Sequence, residues 1–256
     1  METGKAILFC MMLALTPAAS AADNDFLMGS VVKSDKWKMD RKNNREFFDG
    51  AVSFKNPSYT MRSDHAVYNH SARLWDIYGS SYILRKFQDN SKLEVNCEKG
   101  KYFETEQSAL FERGDSQIVM KYYFPPQAAG AKGAAQNSGG QPGVSASPAP
   151  PTEDFVELYG RADKAKAENL LRRISFEGDF SLTTENLYMI SSQGLYHDLD
   201  KSFLMYDSTP AAVGTREGYD FAVNAETIKF FRDSRDIKFH NNVSGWVKDM
   251  PSKVVE

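Results

Sequence analysis

Cysteine is nearly absent from this 256-residue chain: Cys10 and Cys97 are the only two. Cys10 falls in an N-terminal segment that reads as a leader, which leaves Cys97 alone and excludes an internal disulfide once the leader is removed. Positive charge is not in excess. The net charge is −3 and the isoelectric point lies near 5.9, so nothing argues for nucleic acid as a partner. Histidine is scarce too, with His65, His70, His197 and His240 in all. His65 and His70 are five residues apart, and on a strand that spacing sends them to opposite faces, so surface histidines are expected and a metal site is not. No His-Glu-x-x-His, P-loop or Gly-x-Ser-x-Gly pattern occurs, which removes the common hydrolase and nucleotide-binding signatures. Beyond the leader, no apolar run is long enough to span a bilayer.

Residues 1–22 carry the marks of a signal peptide. Lys5 precedes an apolar run from Ala6 to Leu15, Thr16 and Pro17 break it, and Ala19-Ser20-Ala21 or Ser20-Ala21-Ala22 offers small residues for cleavage. The rival reading is an uncleaved anchor from Ala6 to Ala22, against which Pro17, Thr16 and Ser20 count. Bulky Phe9 before Cys10 does not suit a lipoprotein site.

The chain beyond the leader is rich in strand formers. Aromatic residues make up 12% of the whole sequence, and alternating runs such as Val52-Ser53-Phe54, Leu93-Glu94-Val95 and Ile228-Lys229-Phe230 recur between turn signals such as Asp49-Gly50, Asn56-Pro57 and Gly114-Asp115. Short strands about every ten residues predict an all-β sandwich, barrel or roll. Arg161 to Arg173 has helical composition, but a repeat register point at Ala162-Asp163 assigns it to strand. Residues 125–152 hold six of the ten prolines, five of the seventeen glycines and no aromatic, a composition expected to be disordered. They separate a first β segment (26–124) from a second (153–250), which we read as two halves of one sheet stack with a long excursion between them.

The most informative feature is a repeat. Asp64, Asp163 and Glu226 each follow a small residue (Ser63, Ala162, Ala225), and each is followed fifteen residues later by Gly79, Gly178 or Asn241. At plus eleven and plus thirteen stand Trp75 and Ile77, Ile174 and Phe176, and Ile237 and Phe239, a spacing that puts each pair on one strand face. A looser copy runs from Glu98 through Leu110 and Phe111 to Gly114. The unit reads as a strand, a turn, then a strand that ends at the Gly or Asn. The acids recur at one register point, so they have a turn or edge role and not a catalytic one. Arg172 and Arg173 with Lys164 and Lys166 read as a solvated face, with phosphate contact as the rival.

These residues resemble a known family. Met61 to Tyr68, Leu74 to Gly79, and Ala225-Glu226 through Ile237-Lys238-Phe239-His240-Asn241-Asn242-Val243 are similar to the OstA-like lipopolysaccharide-transport proteins, the LptA/LptC-like β-jellyroll. Ile174 to Phe180 is the next closest copy, and the likeness covers most of residues 37–248 apart from the insert. It implies a V-shaped open roll of many short antiparallel strands in the periplasm. It further implies lipopolysaccharide or lipid A as ligand, partner rolls joined by edge-strand pairing, an inner-membrane ATP-driven exporter complex, and neither catalysis nor a cofactor. Both a soluble bridge and an inner-membrane adaptor fit. The C-terminal half looks more like the adaptor, whereas the cleavage site suits the bridge.

With that implication, the alternating apolar positions become candidate lipid contacts: Val52, Phe54, Met61, Ile77, Val95, Ile174, Phe176, Phe221, Val223, Ile228, Phe230, Ile237 and Phe239. The competing reading is that they form a plain filled core. At the level of function, the alternatives are an exported scaffold β protein without lipid and a hydrolase with a dispersed site.

Overall fold

The computed structural model describes residues 31–55, 59–87, 90–123, 156–216 and 218–249. Residues 1–22, read from the sequence as a signal peptide, and residues 125–152, read as an insert, lie outside the described residues. The first half holds β1 (Val31–Lys33), β2 (Lys36–Asp40), β3 (Arg45–Lys55), β4 (Tyr59–Asn69), β5 (Leu74–Lys86), β6 (Lys92–Phe103), β7 (Ser108–Glu112) and β8 (Ile118–Tyr123). The second holds β9 (Val156–Ala162), β10 (Lys164–Glu168), β11 (Arg173–Thr184), β12 (Leu187–His197), β13 (Ser202–Tyr206), β14 (Ala211–Arg216), β15 (Tyr219–Asn224), β16 (Thr227–Phe231), β17 (Ile237–His240) and β18 (Ser244–Asp249). Among the described residues there is no helix, and the segment of helical composition forms β9, β10 and the turn after it.

Each long strand is bent, and its two parts join different ladders. In β3 the pairing with β4 shifts register between Asp49 and Val52; in β5 it shifts between Tyr78 and Ser81; in β11, between Glu177 and Phe180. One ladder runs β2, the first part of β3, the second of β4, the first of β5, the second of β6, then β7, β10, the first part of β11, the second of β12, β13, β16 and β17. The other runs β1, the remaining parts of β3 to β6, then β8, β9, the rest of β11 and β12, β14, β15 and β18. All pairings are antiparallel, and bulges at the bends let one strand serve both layers. The result is an all-β jellyroll: two layers joined along a line of corners and open along the opposite side, the mouth, where the hairpin turns lie. Both β7–β10 and β8–β9 tie residues before the insert to residues after it.

The corners are where the repeat acts. At Gly79, φ is +91°, and a Cβ there would lie 2.6 Å from Asp64 Oδ2, while Ser80 N–H donates to that oxygen at 2.8 Å. Glu98 accepts from Asp115 N–H at 2.8 Å and Ser116 N–H at 2.9 Å, and these bonds hold its carboxyl below the usual range. Asp163 packs against Gly178 in the same way, and Glu226 accepts from the Asn242 side-chain amide. Asp64 and Glu98 therefore cap backbone N–H groups that a bend takes out of the ladder, whereas Asp163 accepts from the Arg113 and Gln117 side chains and Glu226 from that of Asn242. Two sequence expectations are corrected by this geometry. The strands do not end at Gly79 and Gly178 but bulge and continue, because glycine accepts the left-handed conformation and the acid fills the gap. Asp49-Gly50 is not a hairpin turn; it is such a corner within β3, with Asp35 N–H donating to Gly50 O at 2.9 Å.

Candidate functional site

The inner faces form rows across the strands. In one layer, Phe48, Ala66, Ile77, Gly100, Phe111, Ala165, Phe176, Gly194, Met205, Ile228 and Phe239 stand opposite one another in succession. Nearer the mouth the same layer presents Trp75, Tyr102, Ala109, Ala167, Ile174, Tyr196, Phe203, Phe230 and Ile237. The other layer answers with Phe54, Met61, Ile83, Val95, Met120, Gly160, Leu182, Met189, Ala212 and Val223. Large residues meet small ones: a Cβ at Gly194 would lie 2.2 Å from the Phe180 ring.

Of the positions assigned from the sequence, Val52, Phe54, Met61, Ile77, Val95, Phe176, Ile228 and Phe230 are buried in this core. Ile174, Phe221, Ile237 and Phe239 are half-buried against it, and Val223 is half-buried on the same face as Ala212. All are interior, and most of them pack on one another.

The packing is incomplete in one place. A cavity of about 50 Å³ lies between the layers in the first half and the start of the second. That is room for a few waters or a short stretch of hydrocarbon. Ile83, Leu93, Val95 and Met120 line one side, and Tyr102, Ala109, Phe111, Ala165, Ala167 and Ile174 the other, with Tyr59, Arg85 and Asn169 towards the mouth. Of these, sequence reasoning assigns only Val95 and Ile174. The space exists because Ala109 and Ala167 are cross-strand neighbours, as are Phe111 and Ala165, so three of these four inward positions on adjacent strands are methyl groups. Alternation could have placed Ile83 and Met120 on the inner face, but pairing β7 with β10 across the insert is invisible locally.

A polar clasp stands at the mouth next to the cavity lining, with Tyr122 opposite Leu93 and Tyr196 opposite Ile174 in the ladders. Arg232, in the turn after β16, is 5% exposed. It donates to the hydroxyl of Tyr122 on the opposite layer, to Tyr196 Oη at 3.4 Å and to Asp233 at 2.6 Å, and its guanidinium lies over the Tyr122 ring. Tyr122 Oη also donates to Ser91 Oγ at 2.5 Å. Burial pushes the Tyr196 hydroxyl well up, and the neighbouring Tyr122 adds to this, so the Tyr196 phenol stays a neutral partner for the cation. Beside it, Asp198 holds Arg172 at 2.7 Å and also Lys201; burial opposes its charge, but those two cations outweigh it and its carboxyl lies below the usual range.

The ends of the ladders differ. At one end Trp37 is 60% exposed on the inner row, between Lys36 and Lys38. At the other, Phe221 and Val223 face Ile237 and Phe239, all half-buried, and Val247 beside Phe221 is 66% exposed. The interior is thus unsealed at β17 and β18. Neither β1 nor β2, nor β17 nor β18, has a partner on its outer edge among the described residues.

Burial pushes the Cys97 thiol up to about 12, with Glu98 adding to the effect, so it stays a neutral core residue. His65 pairs with Asp49 at 2.5 Å and His70 with Glu46 at 2.6 Å, each on its own. No group of His, Cys, Asp and Glu that could hold a metal occurs among the described residues. The basic run is engaged at the surface: Lys166 and Arg173 both pair with Glu168, at 3.1 and 2.6 Å.

No protein-family model and no curated protein matches the chain. Among solved structures, it is similar to LptH of Pseudomonas aeruginosa, described as the LptA homologous periplasmic component of the conserved lipopolysaccharide transport device. The likeness has 8% identity and a TM-score of 0.24 and covers 70% of this chain and 82% of that one. At that distance it carries no argument, and the fold stands on the two ladders.

Proposed function

We propose that this protein is a lipid-carrying roll of the OstA-like lipopolysaccharide-transport kind. It shelters acyl chains between its layers and passes them along its length. Residues 26–124 and 153–250 are the halves of one jellyroll, and 125–152 are an excursion from its mouth. On this reading the leader directs export to the periplasm, and partner rolls join at the outer edges of β1 and β2 or of β17 and β18 by strand addition. An inner-membrane ATP-driven exporter supplies the energy, so the roll needs no catalytic residue and no cofactor.

The observation that carries the reading is the unsealed end. Phe221, Val223, Ile237 and Phe239 are interior residues left half-exposed on both layers, where β17 and β18 each have a partner on one side only among the described residues. An acyl chain laid there gains roughly 0.8 kcal/mol per CH₂ removed from water. Native mass spectrometry with and without lipid A tests it. A saturable lipid adduct is expected, with end-to-end oligomers. A lipid-free monomer under the same conditions would make this an exported scaffold instead.

A further inference from the structure

Arginines along the mouth are nearly all matched by acids. Arg73 pairs with Glu104 at 3.2 Å, Arg172 with Asp198 at 2.7 Å, Arg173 with Glu168 at 2.6 Å and Arg232 with Asp233 at 2.6 Å. Arg41 and Arg45, in the hairpin between β2 and β3, make no ion pair among the described residues but are exposed to solvent, whereas Arg85 is unpaired and faces the interior. Arg85 occupies the inner face near the end of β5, between Tyr59 and Leu93 across the ladder, and is the one charged residue lining the cavity. No carboxylate lies within ion-pair distance of it among the described residues. Its guanidinium stacks instead over two rings, 4.6 Å from the centre of Phe87 and 5.4 Å from that of Tyr59. Stacking uses the face of the guanidinium and leaves its in-plane N–H donors for another acceptor.

We propose that the cavity takes the end of one alkyl chain of an anionic amphiphile, and that Arg85 holds its carboxylate or phosphate at the mouth. This rests on the reading of the interior as a shelter for chains. The lining is hydrocarbon except at the mouth, where Arg85 on one layer and Asn169 on the other frame the opening. Beside Asn169 the rim exposes Leu170 and Leu171, 66% and 52% accessible, which gives a chain an apolar lip to cross. A planar guanidinium binds either oxyanion in two-pronged fashion. The bland alternative is that Arg85 only stretches its stem along the core and leaves its head in water.

The test uses the full chain and ligands that share one dodecyl tail, all below micelle formation: dodecanoate, dodecyl phosphate, dodecanol and dodecyltrimethylammonium. Calorimetric titration is expected to show the better anion binding about tenfold tighter than the alcohol, with the ammonium weakest. That preference should shrink as salt is raised in the unaltered protein, a readout that needs no variant. Arg85→Met, which keeps the stem, should level the anion and the alcohol without weakening the alcohol. Ala167→Phe, which fills the cavity, should remove both. Preference for dodecanoate assigns a free fatty acid, and preference for the phosphate assigns a phospholipid-type head; either supports the site. Equal binding of anion and alcohol, or a preference that survives Arg85→Met, overturns the inference and leaves the chain-shelter reading standing. If no dodecyl compound binds at all, both fall.

Discussion

The two halves of the interior follow the same corner pattern and pack differently. Where β7 meets β10, Ala109 and Ala167 sit side by side and a cavity remains. Where β13 meets β16, the same row carries Phe203 and Phe230, with ring centres 6.5 Å apart, beside the fully buried Leu182, Met189, Met205 and Ile228. A shared backbone design therefore fixes the layers, and side-chain volume at a few facing positions decides whether the gap between them is solid or hollow. The clasp of Tyr122, Arg232 and Tyr196 stands on the border between the two.

The sharpest way to break the contrast is to hollow the solid half. Phe180 is fully buried, stacks on Phe176 at 4.5 Å and presses on Gly194. Phe180→Ala should cost about 3–5 kcal/mol in urea unfolding, whereas Ile83→Val beside the existing cavity should cost only about 0.5–1.5 kcal/mol. Equal losses would mean the two halves do not differ in packing. The border comes next. Arg232→Met should cost about 2–3 kcal/mol by leaving buried hydroxyls short of a donor, and combining it with Tyr122→Phe should cost less than the two changes summed. An additive result would show that the two side chains are not coupled.

Corners should respond alike in both halves, by smaller amounts. Gly79→Ala and Gly178→Ala each meet left-handed backbone and a carboxylate and should lose about 1–3 kcal/mol. Gly218→Ala has a φ of +88° but nothing within 4 Å, so it should lose less. Thermal melts of the three variants would separate backbone strain from the clash. The smallest effect is a pH dependence carried by Asp200 in the second half. Burial opposes the charge of Asp200, but hydrogen bonds from Lys229 and Ser202 outweigh it and hold its carboxyl down to about 2, against 3.8 ordinarily. A lowered carboxyl adds stability that is complete above its unfolded value. The unaltered protein should therefore lose this share as pH falls from 3.8 towards 2, and Asp200→Asn should flatten that part of the curve.

The sequence made the corners legible because their chemistry is local. An acid, a spacing of fifteen and a Gly or Asn report one bend, and Asp64, Asp163 and Glu226 all sit at one. Asp35 with Gly50 has the same spacing but went unread, since charged Glu46 stands where the pattern asks for an apolar residue. Ser192 and Asp207 mark one more, where Asp207, Ser208 and Thr209 take positive φ and serine replaces the acid. Alternation put every assigned apolar residue inside. It could not find the hollow, because Ala109 and Ala167 become neighbours only through a pairing that spans the insert. Nor could it find Arg85 or Arg232, whose meaning lies in which partners they have among the described residues.

Corner capping also bears on size. Each long strand crosses from one layer to the other at its own bend, and most bends are held by an acid from a neighbouring segment, so a corner depends only on what lies beside it. Neighbouring strands lie about 4.8 Å apart. A roll of this kind is therefore a ruler: insert or delete one hairpin with its capped bends, and the passage between the layers should lengthen or shorten by about 10 Å, two strand spacings, without redesign of the rest.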